Sequence, residues 1–302
     1  MRVIVTGGSG LIGRALVPRL TAEDHEVIVL SRNPQRVKGL PEGARAEGWD
    51  GRSTQGWGPL VDGDTAVINL AGENIASGRW TESRKKRILE SRVDAGRAVT
   101  EALTRSKKTP KVLLQASAVG YYGPTGDREV TESSPAGEDF LALVCLAWEG
   151  ATRAVEDAGI RRIVLRTGVV LSSEGGALPK MSLPFRFFAG GPAGGGDQYV
   201  PWIHIQDEVE AILILLQQEE LSGPFNLTAP DPVTNAQLGK QLGAVLHRPS
   251  LLPAPAFALR AVLGEMADVL LTGQRALPRR LQEAGFTFRF PRLAAALEDL
   301  LG

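Results

Sequence analysis

Cysteine is almost absent from this chain. Cys145 is the one thiol among 302 residues, which excludes an internal disulfide and points to a reducing compartment, the cytoplasm, as its setting. Histidine is nearly as scarce. His25, His204 and His247 lie far apart and share no ligand spacing, so the pattern points away from a metal centre. Net charge is lacking too: thirty-four Lys and Arg balance thirty-four Asp and Glu, leaving no summed field to hold nucleic acid or an anionic membrane surface. No apolar run approaches the roughly 20 residues needed to cross a bilayer, because Glu, Gln, Pro or Gly interrupts each one. The first residues, Met1–Thr6, run straight into a strand-like segment and do not read as a signal peptide. What remains is a chain that, at 43% hydrophobic, can bury one large core or a large and a small one. Its expected partner is a small molecule.

Short β-branched runs recur ahead of helical patterns. Arg2–Thr6, Glu26–Ser31, Thr65–Leu70, Lys111–Ala116 and Ile160–Thr167 read as buried strands, with helices over Leu11–Leu20, Glu82–Leu103 and Leu141–Ala158 between them. This alternation is the signature of crossovers in a parallel sheet. The expected class is α/β: a Rossmann-like, doubly wound parallel sheet with a smaller, mainly helical C-terminal part. Residues 1–170 would form the nucleotide-binding domain, with a strand and helix near 200–230 returning to it, and 171–302 the smaller substrate-side domain. Asp207 is placed to cap the helix that ends at Gln217. The stretches Ala254–Leu263 and Glu265–Leu271 carry apolar faces that could pack on the core or on a second subunit, so a homo-oligomer is left open.

Chemistry concentrates at Thr6-Gly7-Gly8-Ser9-Gly10-Leu11-Ile12-Gly13, where the first strand must turn into the first helix. Gly7 permits the tight turn, Gly10 lets main-chain amides approach a diphosphate, and Gly13 lets the helix pack closely on the sheet. The helix N-terminus offers unpaired N–H groups to the anion. The cofactor set here is Gly7, Ser9, Gly10, Leu11, Ile12 and Gly13. The second strand ends Leu30-Ser31-Arg32-Asn33, with Arg32 where an NAD site would carry an acid for the ribose 2′-hydroxyl. A guanidinium can instead pair with a 2′-phosphate while Ser31 adds a hydroxyl, so the expected cofactor is NADP. A solvent-exposed arginine after a strand is the plain alternative.

These residues, with Asn69-Leu70-Ala71-Gly72-Glu73-Asn74-Ile75, Ser117–Gly123, Pro201–Ile205, Gly264–Pro278 and Gly285-Phe286, span nearly the full length. They resemble the extended short-chain dehydrogenase/reductases, and most closely the atypical, YfcH-like branch of nucleoside-diphosphate-sugar epimerases. The resemblance implies that Leu70, Ala71 and Gly72 line the cofactor. Arg92, on the following helix, would be a second cationic contact, or else part of a solvated basic face with Arg84–Arg87. It also implies a Tyr-x-x-x-Lys pair with a Ser or Thr to handle the reacting oxygen, and this chain departs from that pattern. Counting back from Glu149 puts Leu141 and Cys145 in the two places, and the Ser or Thr position falls on Ala118. Leucine cannot shuttle a proton, and Cys145, among Val144 and Leu146, reads as an inert buried thiol. The substitutes are Ser117, Tyr121 and Tyr122, with Arg166 to lower a phenol pKa. Packing is the alternative role for both tyrosines.

Two functions compete on these residues. One is an NADP-dependent oxidoreductase or epimerase acting on a hydroxyl or carbonyl carbon, with a nucleotide sugar as the substrate the resemblance implies. The other is a catalytically silent NADP(H)-binding protein that recruits a partner.

Overall fold

In the computed structural model, which describes residues 1–302, the alternating runs form a seven-stranded sheet with every pairing parallel. Its strands are β1 (Arg2–Thr6), β2 (Glu26–Ser31), β3 (Ala44–Gly48), β4 (Thr65–Asn69), β5 (Val112–Ala118), β6 (Arg161–Thr167) and β7 (Gly223–Leu227). The helices that matter below are α1 (Leu11–Ala22), α2 (Glu82–Thr104), α3 (Phe140–Gly150), α4 (Leu178–Arg186), α5 (Ile205–Gln217), α6 (Asn235–Val245), α7 (Ala256–Leu263) and α8 (Leu293–Leu301). In space the strands run β7-β6-β5-β4-β1-β2-β3. The winding reverses between β1 and β4, so the crossovers part there and a crevice opens beyond the strand ends. The fold is the expected Rossmann-like α/β sheet with a smaller, mainly helical C-terminal part.

Strand periodicity explains why both faces are covered. Val3 and Val5 point to the side filled by α1 and α5, while Ile4, Ile28, Val67 and Leu113 point to the side filled by Val99 and Leu103 of α2. Each such side chain, fully buried, contributes about 1.5–3 kcal/mol. A third cluster joins Leu171, Leu178, Trp202 and Phe290 to Leu238 and Leu242 of α6 and Leu293 and Leu297 of α8. This is the core of the C-terminal part. No helix is long and apolar enough to cross a membrane.

Three local details differ from the sequence reading. Strand β3 was not foreseen, because Ala-Arg-Ala-Glu-Gly at an edge leaves none of its side chains buried and carries no apolar run. The third helix stops at Gly150 and does not run on to Ala158. The Glu149 carbonyl is taken by the Thr152 hydroxyl (3.3 Å) and by Arg162 Nη1 (3.2 Å), and the chain tightens into a turn before a short helix at Ala154–Asp157. Asp207 does not cap α5. His204 does, its Nδ1 accepting from the Gln206 amide at 3.1 Å. The buried Asp207 carboxylate instead accepts the amides of Arg289 (2.7 Å) and Phe290 (3.0 Å), tying the C-terminal segment to α5.

Candidate cofactor and active site

The floor of the crevice is a buried polar chain across three strand ends. Thr6 donates to Asn69 (2.5 Å), Asn69 donates to Gln115 (2.8 Å), and the Gln115 amide ends on the Ala116 carbonyl (2.7 Å). The Ala71 amide in turn donates to Thr6 Oγ1 at 3.2 Å, which sets the turn through Leu70 and Ala71. Gly7 faces that turn at φ +68°, and a Cβ there would lie 2.7 Å from the Leu70 carbonyl oxygen. Gly13 is equally constrained: its Cβ would sit 2.4 Å from Gly8 Cα.

Gly10 is different. Its backbone is extended, at φ −76° and ψ 179°, a conformation open to any residue. A Cβ would meet only the Gly7 carbonyl oxygen, at 3.1 Å. Otherwise it would point into open space at the N-terminus of α1. There Gly10 donates to Gly7 and Arg14 donates to Gly10, while the amides of Leu11, Ile12 and Gly13 have no main-chain acceptor and no side-chain cap. Free amides beneath a position where a Cβ would crowd one carbonyl oxygen and otherwise meet no protein atom form a cradle that suits a diphosphate. The residues therefore fit a dinucleotide. Ser9 lies exposed at the lip, its carbonyl accepting from Arg14 at 3.2 Å. Arg32 follows β2, exposed and free of any ion pair, and Ser31 Oγ accepts from the Asn33 amide at 3.2 Å. The segment Ser172–Ala177 closes from the other side, with Gly176 so near Leu11 that a Cβ would meet its side chain at 2.8 Å.

At the end of β5 the register sets Ser117 beside Arg166. Ser117 is 4% exposed and donates to Glu149 at 2.7 Å. Glu149 also takes a two-point bond from Arg166, both contacts 3.0 Å. Arg166 reaches on to the Tyr122 hydroxyl (3.1 Å) and the Glu132 carbonyl (3.2 Å), and Tyr122 donates to Asn226 (2.7 Å). Glu132 closes the far end, one carboxylate oxygen accepting the Asn226 amide at 3.0 Å and the Arg280 amide at 3.2 Å. Burial pushes the Tyr122 phenol up to about 12, outweighing the pull of Arg166 the other way. Arg166 does lower the phenol pKa as expected, but at Tyr122 burial is the larger effect and the net shift is upward. Tyr121 is half-buried, its ring 3.5 Å from the Arg166 guanidinium carbon, and its hydroxyl takes no part in the network.

Leu141 and Cys145 do lie against this strand end. A Cβ on Gly120 would be 3.5 Å from Leu141 Cβ and 4.0 Å from the Cys145 sulfur, and that sulfur stands 3.7 Å from the Ala118 carbonyl. Burial, then the charge of Glu149, pushes the thiol up to about 11, so it is inert at neutral pH. Arg92 reaches in from α2 over Gly72, 4.8 Å from the Trp148 ring. Asn226 and Glu132 escaped the sequence reading, although an asparagine inside the apolar run Phe225-Asn226-Leu227 is a signal that a buried partner exists. Glu132 had no such signal. The site is thus drawn from β5, α3, β6 and β7, with Arg92 added from α2. A hollow of about 910 Å³ bounded by Asp62, Asp64, Arg105 and Lys108 lies at the opposite ends of the strands.

One further acid sits under β6. Glu208 is 1% exposed, accepts from Thr167 at 2.9 Å, and leaves its second oxygen without a partner. Burial pushes it up to about 8, the Thr167 bond opposing. A raised carboxyl contributes stability that is whole below its ordinary value near 4.5 and is lost as pH climbs through about 8. E208Q is expected to remove a slope of at most about 1.4 kcal/mol per pH unit across that window. Urea titrations of both proteins at pH 5 and pH 8.5 check this, and parallel losses would refute it.

Comparison with known proteins places these features in context. A family model described as the NAD dependent epimerase/dehydratase family matches residues 3–227, and one described as a domain of unknown function matches residues 254–300. The chain is 43% identical to the chloroplastic epimerase family protein SDR39U1 homolog of Arabidopsis thaliana, over 100% of this chain and 87% of that one. It is 42% identical to the epimerase family protein YfhF of Bacillus subtilis, over 100% of this chain and 98% of that one. A crystal structure of human epimerase family protein SDR39U1 (isoform 2) with NADPH is 39% identical, with a TM-score of 0.90, covering 100% of this chain and 99% of that chain.

Proposed function

The chain belongs to the NAD dependent epimerase/dehydratase family, and on that premise we propose that it binds NADP(H) and moves a hydride to or from a carbonyl or hydroxyl carbon. The observation that carries this reading is the cradle of free amides at Leu11, Ile12 and Gly13 under the bare Gly10, with the unpaired Arg32 beyond it. The human relative crystallised with NADPH supports the choice of the phosphorylated coenzyme. Residues 1–170, with the strand and helix near 200–230, would hold the cofactor, and the rest of 171–302 would close over the substrate. When bound, the nicotinamide supplies the hydride donor or acceptor. Gly7, Ser9 and Gly10–Gly13 hold the diphosphate, Ser31 and Arg32 the 2′-phosphate, and Leu70–Gly72 the ribose side.

At the reacting end, Ser117 is held by Glu149 and can accept a hydrogen bond from a substrate hydroxyl. Of the adjacent pair, Tyr121 keeps a free phenol, while Tyr122, locked between Asn226 and Arg166, serves the scaffold. The nucleotide-sugar substrate is the finer form of this proposal. A second reading, a silent NADP(H)-binding protein, is favoured by one observation: the two positions for a proton-transfer pair hold leucine and a thiol pushed up to about 11. Nicotinamide absorbance followed against carbonyl compounds and nucleotide sugars separates the two. Turnover lost in S117A or Y121F supports the enzyme; tight binding without turnover supports the silent protein.

The coenzyme choice has its own test. Arg32→Ala is expected to weaken NADPH by about tenfold or more, about 1.4 kcal/mol, and NADH by less than about twofold, because only NADPH carries the phosphate the guanidinium pairs. Calorimetric titration with both coenzymes reads it, and equal losses would defeat the assignment.

A further inference from the structure

The outer face of α6 carries cations with no acid beside them. Leu238 and Leu242 turn inward to the core of the C-terminal part, which leaves Ala236, Lys240 and Ala244, one turn apart, exposed on the other side. This stripe, the loop at Pro192 and the chain just after the helix enclose a hollow of about 700 Å³. That volume suits a small molecule. Lys240, His247 and Arg248 line it together with Ser250, and no aspartate or glutamate does. The Lys240 ammonium and the His247 ring have no hydrogen-bond or ion-pair partner, and Arg248 commits only Nη1, to the His247 carbonyl at 3.0 Å. Its Nε–H and Nη2 edge is left as a fork for two oxygens of one anion.

Cations just past a helix C-terminus offset its dipole, which accounts for charge at 247 or 248. It does not account for Lys240, more than a turn inside the helix, or for the backbone around it. Phe188 and His247 are two of the chain's three non-glycine residues in the left-handed region, at φ +58° and +54°. Each stands two residues past its helix, α4 or α6, where glycine would make the same turn without strain. The Phe188 ring lies 4.5 Å from the Arg248 guanidinium carbon. One strained residue thus faces the hollow as a donor, and the other is the platform that steadies its neighbouring cation. Leu251, 79% exposed, adds an apolar wall.

We propose that this hollow binds a phosphate-bearing small molecule. Lys240 and the Arg248 fork take the phosphate, His247 adds a further donor, and the carbon skeleton lies over Pro192, Ala244 and Leu251. None of these residues belongs to the glycine turn or to the polar network at Arg166, so the site stands apart from the coenzyme reading.

The test is calorimetric titration of the full chain with phenyl phosphate and with inorganic phosphate at fixed ionic strength. The amides at the start of α1 are the other seat for such an anion, so G10V is titrated beside the parent. Both proteins are expected to bind phenyl phosphate alike, and about threefold or more tighter than inorganic phosphate, which has no ring to lay on the apolar wall. K240Q and R248Q are each expected to weaken phenyl phosphate by about tenfold. H247G is expected to weaken it by about threefold while its melting temperature holds or rises, because glycine relieves the left-handed turn. Binding lost in G10V would assign the anion to the glycine turn and overturn the proposal. Unchanged affinity in K240Q and R248Q would leave the cations as helix caps and surface charge, and would overturn it too. So would equal affinity for the two phosphates, or a parent that binds neither.

Discussion

Valine at position 10 is expected to weaken NADPH binding by about a hundredfold or more, about 2.7 kcal/mol, while the protein remains folded. The two halves of this expectation have separate physical causes. Gly10 sits at φ −76°, so a β-branched residue meets no backbone penalty there, and the only protein atom a Cβ would crowd is the Gly7 carbonyl oxygen at 3.1 Å. The expected cost to the fold is about 1 kcal/mol or less. The isopropyl group would fill the space over the amides of Leu11, Ile12 and Gly13 that a diphosphate must occupy. Gly13 offers the contrast. There a Cβ would meet Gly8 Cα at 2.4 Å, so even alanine forces α1 away from the sheet, and binding and stability fall together. Coenzyme titration beside urea denaturation reads both quantities. If G10V bound NADPH like the parent, the cradle would not be the cofactor site.

Arg166→Met is expected to cost about 3–5 kcal/mol of stability, because it strips the counter-charge from a carboxylate that stays largely out of water. Glu149, its side chain 14% exposed, would keep only the Ser117 hydroxyl, and the Tyr122 hydroxyl and Glu132 carbonyl would each lose a donor. Replacing both partners should recover part of the loss, since a buried pair exchanged for apolar groups leaves no charge unpaired, although the Ser117 and Tyr122 hydroxyls and the Glu132 carbonyl still lose a partner. R166M paired with E149L in a double-mutant cycle, followed by denaturant midpoints, measures this. A single mutant within about 1 kcal/mol of the parent would mean that the network carries no net stability. The same cycle bears on function, because Ser117 and Tyr121 are both placed by this ion pair.

The amount of this that could be read before folding divides by the range of the forces involved. The turn Gly7–Gly13 belongs to one strand-loop-helix unit, and each glycine answers to geometry set within a few residues or by the neighbouring strand end. Arg32 stands where β2 must stop, and the sheet class follows from alternating apolar runs. These were local, and so was the loss of a tyrosine and lysine at positions 141 and 145.

The polar network was not local. Ser117, Tyr122, Glu132, Glu149, Arg166 and Asn226 are spread from residue 117 to residue 226, and the parallel registers of β5, β6 and β7 with α3 packed on them bring them together. Sequence could name a phenol and a guanidinium, but the net shift of the phenol depended on burial, which prevailed at Tyr122. Arg92 illustrates the same division. Its charge and helix were legible in the chain, but its lack of a counter-ion depended on where Glu73, Arg84 and Arg87 came to rest. The sequence by itself determined the sheet, the glycine turn and the basic residue after β2, because backbone sterics and hydrophobic periodicity act between near neighbours. Which titratable groups meet, and which remain unpaired, was decided by tertiary structure alone, because electrostatic partners are set by distances across the folded core.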